Sequence, residues 1–256
     1  MSTSRRQFLK SALASAAVTA LPLSAFRLLS PAEVRAAIGD ARVRWAFLVD
    51  TYKCVGCGLC VKACKRENEV PYDVPVSRTW VERYVVLKNG KSYIESPNGG
   101  RDGYTSPKIG ESNINPDEIV KAFFVPKLCN HCEKPACVQV CPVGATYQTN
   151  DGVVLIDRKW CIGCGYCIMA CPYGVRFFHP VYKVAEKCTF CYHRISKGLK
   201  AACVQACPFG ARQIGNLKDP NDPVTKQIMT QRVSVLKEEY GTKPQVFYIG
   251  LDANVR

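Results

Sequence analysis

Cys54-Val-Gly-Cys-Gly-Leu-Cys-Val-Lys-Ala-Cys64 and Cys161-Ile-Gly-Cys-Gly-Tyr-Cys-Ile-Met-Ala-Cys171 are near copies, each spacing its cysteines C-x2-C-x2-C-x3-C. Two further groups lie between and after them. Cys129, Cys132, Cys137 and Cys141 follow C-x2-C-x4-C-x3-C, and Cys188, Cys191, Cys203 and Cys207 follow C-x2-C-x11-C-x3-C. The four quartets use all 16 cysteines of the 256-residue chain.

Three thiolates on one short loop can hold three irons of a cuboidal cluster, and the fourth, three residues on, reaches a different cluster. Structural zinc more often takes two ligands from each of two separated C-x2-C knuckles, which would leave the third cysteine of each tight run poorly used. Cysteines two residues apart rarely reach disulfide geometry. The spacing therefore predicts ligands for four [4Fe–4S] clusters. Intervening residues agree. Gly56, Gly58, Gly163 and Gly165 sit where a ligand loop needs positive φ and close approach to sulfide. Pro142, Pro172 and Pro208 follow the last cysteine of three groups, with Gly144, Gly174 and Gly210 two places later, matching a C-P ferredoxin ending. The first group departs from this, with Lys65 after Cys64.

Residues 1–37 form a separate segment. Ser4-Arg5-Arg6-Gln7-Phe8-Leu9-Lys10, an Ala/Leu-rich stretch to Phe26 and small residues near Val34-Arg35-Ala36 predict a twin-arginine export signal. The apolar stretch is short for a spanning helix and is interrupted by Pro22. No later stretch approaches 18 apolar residues. The predicted location is the periplasm or outer face of the cytoplasmic membrane. Export of already folded chains reconciles so many thiols with an oxidising compartment.

A net charge of +14 at first suggests a polyanion as partner. The leader holds five of the basic residues and one acid, leaving +10 on the remainder. Each oxidised cluster with its four thiolates carries roughly −2, so four offset most of that charge. No excess then remains to recruit nucleic acid.

The chain repeats internally. Besides the copies above, Lys134-Pro-Ala-Cys-Val-Gln-Val-Cys-Pro-Val-Gly-Ala145 matches Lys200-Ala-Ala-Cys-Val-Gln-Ala-Cys-Pro-Phe-Gly-Ala211. Short strands and turns are expected, with helical pieces after cysteine groups. Trp45–Asp50 reads as a strand, and Asn150-Asp151-Gly152 and Asn89-Gly90 as hairpin turns, flanked by Gly144–Gln148 with Val153–Asp157 and by Trp80–Leu87 with Lys91–Glu95. Asp222 and Pro223 start a helix, carried through Ile228, Val233 and Leu236 to a stop at Gly241, before a last strand over Gln245–Gly250. The cysteine-free stretch from Lys65 to Leu128, above all Ser96–Pro116, reads as an irregular excursion. It is either a docking surface or a cover over clusters.

Four groups in this order resemble the four-cluster electron-transfer subunits of the DMSO-reductase and formate-dehydrogenase families. Lys127-Leu-Cys-Asn-His-Cys-Glu-Lys-Pro-Ala-Cys137 and Lys187-Cys-Thr-Phe-Cys-Tyr-His-Arg194 are especially similar. Val246-Phe-Tyr-Ile-Gly-Leu-Asp252 is like the end of polysulfide- and tetrathionate-reductase iron–sulfur subunits. The resemblance implies an α+β fold of two interleaved bacterial-ferredoxin-like modules within residues 38–256. Module one would comprise 43–66 plus 183–216 and module two 121–182, with an insertion at 67–120 and a terminal helix and strand at 217–256. It implies cluster one on Cys54, Cys57, Cys60 and Cys207, and cluster two on Cys64, Cys188, Cys191 and Cys203. Cluster three would use Cys129, Cys132, Cys137 and Cys171, and cluster four Cys141, Cys161, Cys164 and Cys167. The 19-residue gap from Cys141 to Cys161 favours pairing groups two and three. Sequential pairing, one with two and three with four, stays open. The implied partners are an integral-membrane quinone-reactive subunit and a molybdopterin-type catalytic subunit or multihaem c-type cytochrome. Some relatives replace a cysteine of group three and hold a [3Fe–4S] cluster, but here all four remain. Some also end in a membrane helix, which this sequence does not show before Arg256.

No catalytic residue is indicated. The Gly-Cys-Gly pairs lack a third glycine for a dinucleotide fingerprint and lie inside ligand loops. A relay subunit is therefore set against a stand-alone polyferredoxin or redox sensor. Lys53, Lys65, Arg158, Lys159 and Lys187 lie near ligands and either raise cluster potentials or serve only as surface charge. His131 and His193 are expected to pack or hydrogen-bond rather than replace a thiolate. Tyr166, Phe177, Phe178 and Phe190 are expected to shield clusters from water.

Overall fold

A computed structural model describes residues 38–104 and 114–255. The leader at 1–37 and residues 105–113 of the expected excursion lie outside the described residues. Among the described residues the first element is β1 (Trp45–Asp50), whose Ala46, Phe47, Leu48 and Val49 are wholly buried. A run apolar on both faces belongs inside a sheet covered on both sides. β1 is indeed interior, between β9 (Arg212–Asn216), antiparallel to it, and β11 (Val246–Ile249), parallel to it. β10 (Val233–Ser234) closes the outer edge against β11.

Short helices carry the repeat. α1 (Leu59–Glu67), α2 (Ala136–Gln139), α3 (Tyr166–Met169), α4 (Tyr192–Ile195) and α5 (Ala202–Gln205) each start in or just before a cysteine group. α1 packs against α5 and α2 against α3, so group one's helix meets group four's and group two's meets group three's. α6 (Pro223–Thr230) covers the other face of β1, where Val224 joins Leu48 and Ile249.

Two expectations are corrected. The last helix starts at the expected Asp222 cap but ends at Thr230 rather than Gly241. Val233 and Ser234 instead pair with Ile249 and Tyr248, because a β-branched valine beside an open strand edge gains more from the ladder than from another helical turn. The excursion, in turn, carries a three-stranded sheet on either side of Ser96–Pro116, where the described residues form no strand. β2 (Thr79–Leu87) pairs with β3 (Ser92–Glu95), as expected around Asn89-Gly90, and with β4 (Ile119–Leu128), which was not anticipated. Pro126 hid that strand, and it is tolerated because β4 is an edge. The Asn150-Asp151-Gly152 turn joins β5 (Thr146–Gln148) to β6 (Val154–Ile156), and a small β7–β8 ladder pairs Phe177 and Phe178 with Glu186 and Ala185. Among the described residues no helix is long and apolar enough to cross a membrane.

Candidate metal centres

The ligand loops turn where glycine permits it. Gly58 (φ +74°) and Gly165 (φ +79°) precede α1 and α3, so Cys57 and Cys164 stay on the loops while Cys60 and Cys167 enter the helices. Where no glycine is present the backbone is strained. His131, Phe190 and Cys191 hold positive φ inside groups two and four.

The folding brings cysteines together across groups. Cys54, Cys57, Cys60 and Cys207 line one cavity. Cys64, Cys188, Cys191 and Cys203 line a second, and Cys129, Cys132, Cys137 and Cys171 a third. Of the remaining four, Cys164 is exposed, Cys141 and Cys161 are half-buried and Cys167 is buried. Among the described residues no three His, Cys, Asp or Glu side chains converge on a single ion. Quartets so open do not suit one zinc with bonds of about 2.3 Å, whereas they suit a cuboidal guest with an iron at each thiolate.

Burial pushes the thiols of Cys54 and Cys132 up to about 11 and that of Cys203 to about 12. Cys64 and Cys188 are also pushed well above the ordinary thiol value, again through burial and then through their neighbouring cysteines. Such thiols hold their protons near neutrality, so iron binding must release them. Donors are in place around the sulfurs. Asn68 Nδ2 lies 3.5 Å from Cys64 Sγ and 4.0 Å from Cys191 Sγ, and its Oδ1 accepts from Arg78 Nη1 at 2.7 Å. Phe190 N donates to Cys188 Sγ and Thr146 N to Cys141 Sγ, both at 3.4 Å.

The cations nearest the ligands in sequence are mostly occupied elsewhere. Lys53 pairs with Asp50 at 3.0 Å and Arg158 with Glu186 at 2.8 Å, while Lys159 is exposed. Lys65 is buried and donates to the carbonyls of Pro71 and Val74. Lys187 is buried on the carbonyls of Val154 and Cys188, yet its charge reaches Cys137. Two arginines that the spacing of the cysteines does not single out are better placed. Arg176 Nη2 donates to Cys137 Sγ at 3.0 Å, and Arg212 is wholly buried with its charge acting on Cys60, Cys203 and Cys54. Arg212 Nη2 is buried without a protein partner, as a donor meant for a sulfide would be. A usable signal existed: both arginines stand five places beyond a group's last cysteine, in Cys171-Pro-Tyr-Gly-Val-Arg176 and Cys207-Pro-Phe-Gly-Ala-Arg212.

Neither histidine joins a quartet. His131 is wholly buried, stacks on Phe190 with centroids 3.7 Å apart and accepts from Val154 N at 3.0 Å. Burial, then the charge of Lys187, keeps its imidazole neutral. His193 meets Glu67 at 2.7 Å on the surface. Phe190 is buried, as a shield would be, whereas Phe178, over the Gly165 turn, is 47% exposed and Tyr166 55%, so both shield little.

Comparison with known proteins places this architecture. Residues 53–145 and 120–217 each match a 4Fe-4S dicluster domain, and residues 2–22 match the twin-arginine translocation pathway signal sequence. The dicluster matches overlap, so they count the cysteine groups without pairing them. Two dicluster domains and 16 cysteines make four [4Fe–4S] clusters. The chain is 39% identical to a tetrathionate reductase subunit of Salmonella typhimurium, over 98% of this chain and 90% of that protein. It is 43% identical to the corresponding tetrathionate reductase subunit of Archaeoglobus fulgidus, over 81% and 83%. To the Hdr-like menaquinol oxidoreductase iron-sulfur subunit 1 of Archaeoglobus fulgidus it is 36% identical, over 97% and 98%.

Proposed function

Because the chain belongs to the family of four-cluster iron–sulfur subunits that includes these tetrathionate reductase subunits, we propose that it wires a respiratory oxidoreductase on the outer side of the cytoplasmic membrane. Its terminal partners are an integral-membrane quinone-reactive subunit and a molybdopterin-type catalytic subunit or multihaem c-type cytochrome. The ligand sets are Cys54, Cys57, Cys60 and Cys207; Cys64, Cys188, Cys191 and Cys203; Cys129, Cys132, Cys137 and Cys171; and Cys141, Cys161, Cys164 and Cys167. Bound there, the clusters supply one-electron oxidation and reduction.

The observation that carries this reading is the order in which the quartets neighbour one another electrostatically. Arg212 acts on cysteines of the first and second sets, and Cys129 of the third acts on Cys188 of the second. Arg176 in turn acts on cysteines of the third and fourth. Each set thus has the next within electrostatic reach, from the first to the fourth, as a relay requires. Each end has an exposed cysteine, Cys57 beside Val55, Leu59 and Phe209 at one end and Cys164 beside Ile162, Tyr166 and Met169 at the other. Apolar side chains around an exposed ligand suit docking by a partner that must exclude water. The packing of α1 on α5 and α2 on α3 supports interleaved over sequential modules.

The test is capture of the tagged chain from detergent-solubilised membranes, with identification of what accompanies it. A quinone-reactive membrane protein and a redox catalytic subunit are expected. A chain that fractionates alone without detergent would be a free polyferredoxin.

A further inference from the structure

The repeated turn Cys-Pro-aromatic-Gly-x-Arg puts one arginine into the middle of each proposed module. Arg176 is 5% exposed, donates to Cys137 Sγ at 3.0 Å and to Thr146 Oγ1 at 3.3 Å, and reaches the Cys167 thiol. Cys137 belongs to the third quartet and Cys167 to the fourth. Arg212 is 1% exposed, donates to Thr79 Oγ1 at 2.9 Å, lines one cavity with Cys54 and Cys60 of the first quartet, and is near enough for its charge to act on Cys203 of the second. The two sites match in their parts: a guanidinium on the same turn, a threonine hydroxyl to hold it, and thiols of two quartets around it.

Their surroundings separate them from the other buried cations. Arg78 has Glu186 at 2.9 Å, and Lys65 is enclosed by backbone carbonyls. Among the described residues neither Arg176 nor Arg212 forms an ion pair with a carboxylate. A buried guanidinium without a counter-ion is costly, and it cannot escape by losing its proton. Burial opposes its charge, but the surrounding cysteines more than restore it in both cases. The compensating charge is then the pair of anionic clusters on either side, each roughly −2 when oxidised.

We propose that Arg176 and Arg212 are matched potential-setting residues, each placed between the two clusters of one module and raising the reduction potentials of both. The inference rests on the quartet assignment above. A reduced cluster carries one more negative charge, so a fixed cation beside it favours reduction. A cation shared by two clusters favours both, so it raises the pair together and leaves the step between them largely unchanged. The third copy of the turn, Cys141-Pro-Val-Gly-Ala-Thr146, has threonine in the arginine's place, and that threonine is Arg176's partner. Each module thus receives one such charge rather than two.

The experiment is an EPR-monitored redox titration of the anaerobically purified complex, with iron counted per chain. With full iron, R176Q lowers the midpoints of two of the four signals, the reduction constant of each falling tenfold or more, about 59 mV for one electron. R212Q lowers the other two, and the arginine-to-lysine variants recover most of the loss. Four unmoved midpoints, or four displaced together, would overturn the proposal. If the glutamine variants lose iron, pulsed EPR on 15N-arginine-labelled protein decides. Wild type must show arginine nitrogen coupled to its reduced clusters, and R176K must lose that coupling in only two signals. Absence of arginine coupling in the wild type overturns the proposal whatever the variants do. Iron well short of about sixteen atoms per wild-type chain would instead sink the four-cluster reading.

Discussion

Gly58 and Gly174 both hold positive φ, +74° and +63°, yet they do different work. A Cβ on Gly58 would lie 2.3 Å from Gly100 O and 2.4 Å from Arg101 O, backbone atoms that cannot swing aside, whereas one on Gly174 meets nothing within 4 Å. Gly174→Ala should cost about 1–2 kcal/mol, the left-handed penalty alone, and lose no iron. Gly58→Ala adds a backbone clash beside the first quartet and should cost at least ~3 kcal/mol with loss of that cluster, read by thermal unfolding and iron analysis. Equal behaviour of the two variants would refute the argument. Glu186 gives a second test. Burial raises its carboxyl, but Arg78, the Lys187 N–H and Arg158 outweigh it, and the group lies below the usual 4.5. The unfolded chain therefore binds the proton first on acidification. Stability is present above about pH 4.5 and is lost as pH falls through the lower folded value. Glu186→Gln should cost about 3–5 kcal/mol near neutrality, because Arg78 is left buried and unpaired, and should flatten the acid limb of a pH-melting series. At this scale the thiols and turn glycines were legible because their spacing is local. The partners of those glycines were not, since Gly100 and Arg101 arrive from the long insertion.

Among the elements, α6 shows what a local signal can and cannot fix. Its start was legible because a cap acts within three residues: Asp222 Oδ1 accepts from Val224 N at 2.7 Å and Thr225 N at 3.4 Å. Its end was not, because the edge of β11 that recruits Val233 is built by residues downstream. β4 escaped detection for the same reason, its proline being acceptable only once the strand is known to be an edge. Asp222→Ala should lower stability by about 1–2 kcal/mol, the upper part of that range reflecting the further bond from Asn216 N to Asp222 Oδ2 at 3.0 Å. α6 packs on Leu48 and Ile249, away from the quartets, so iron content should remain unchanged while the melting temperature falls. Iron lost in step with stability would show that the helix and the metal sites unfold as one unit.

For the whole molecule, composition and export have to agree with the metal sites. The +14 of the sequence is divided between the leader, the surface and interior cations such as Arg176 and Arg212, so a polyanion partner is not needed to explain it. What binds the chain's location to its chemistry is the state of its 16 thiols on arrival. In an oxidising compartment free thiols pair, and close C-x2-C spacings would give strained or intermolecular disulfides rather than cluster sites. The twin-arginine signal, matched over residues 2–22, implies folding and cluster insertion before passage. Changing Arg5 and Arg6 to lysine should therefore leave brown, cluster-loaded full-length protein in the cytoplasm, with none outside. Replacing residues 1–37 by a leader that passes the chain unfolded should do the opposite, delivering colourless, disulfide-linked protein. Iron analysis and non-reducing electrophoresis of the two fractions read both outcomes. Brown, iron-replete protein reaching the periplasm from the unfolded route would show that the clusters assemble after export, and the link between leader and metal sites would be lost.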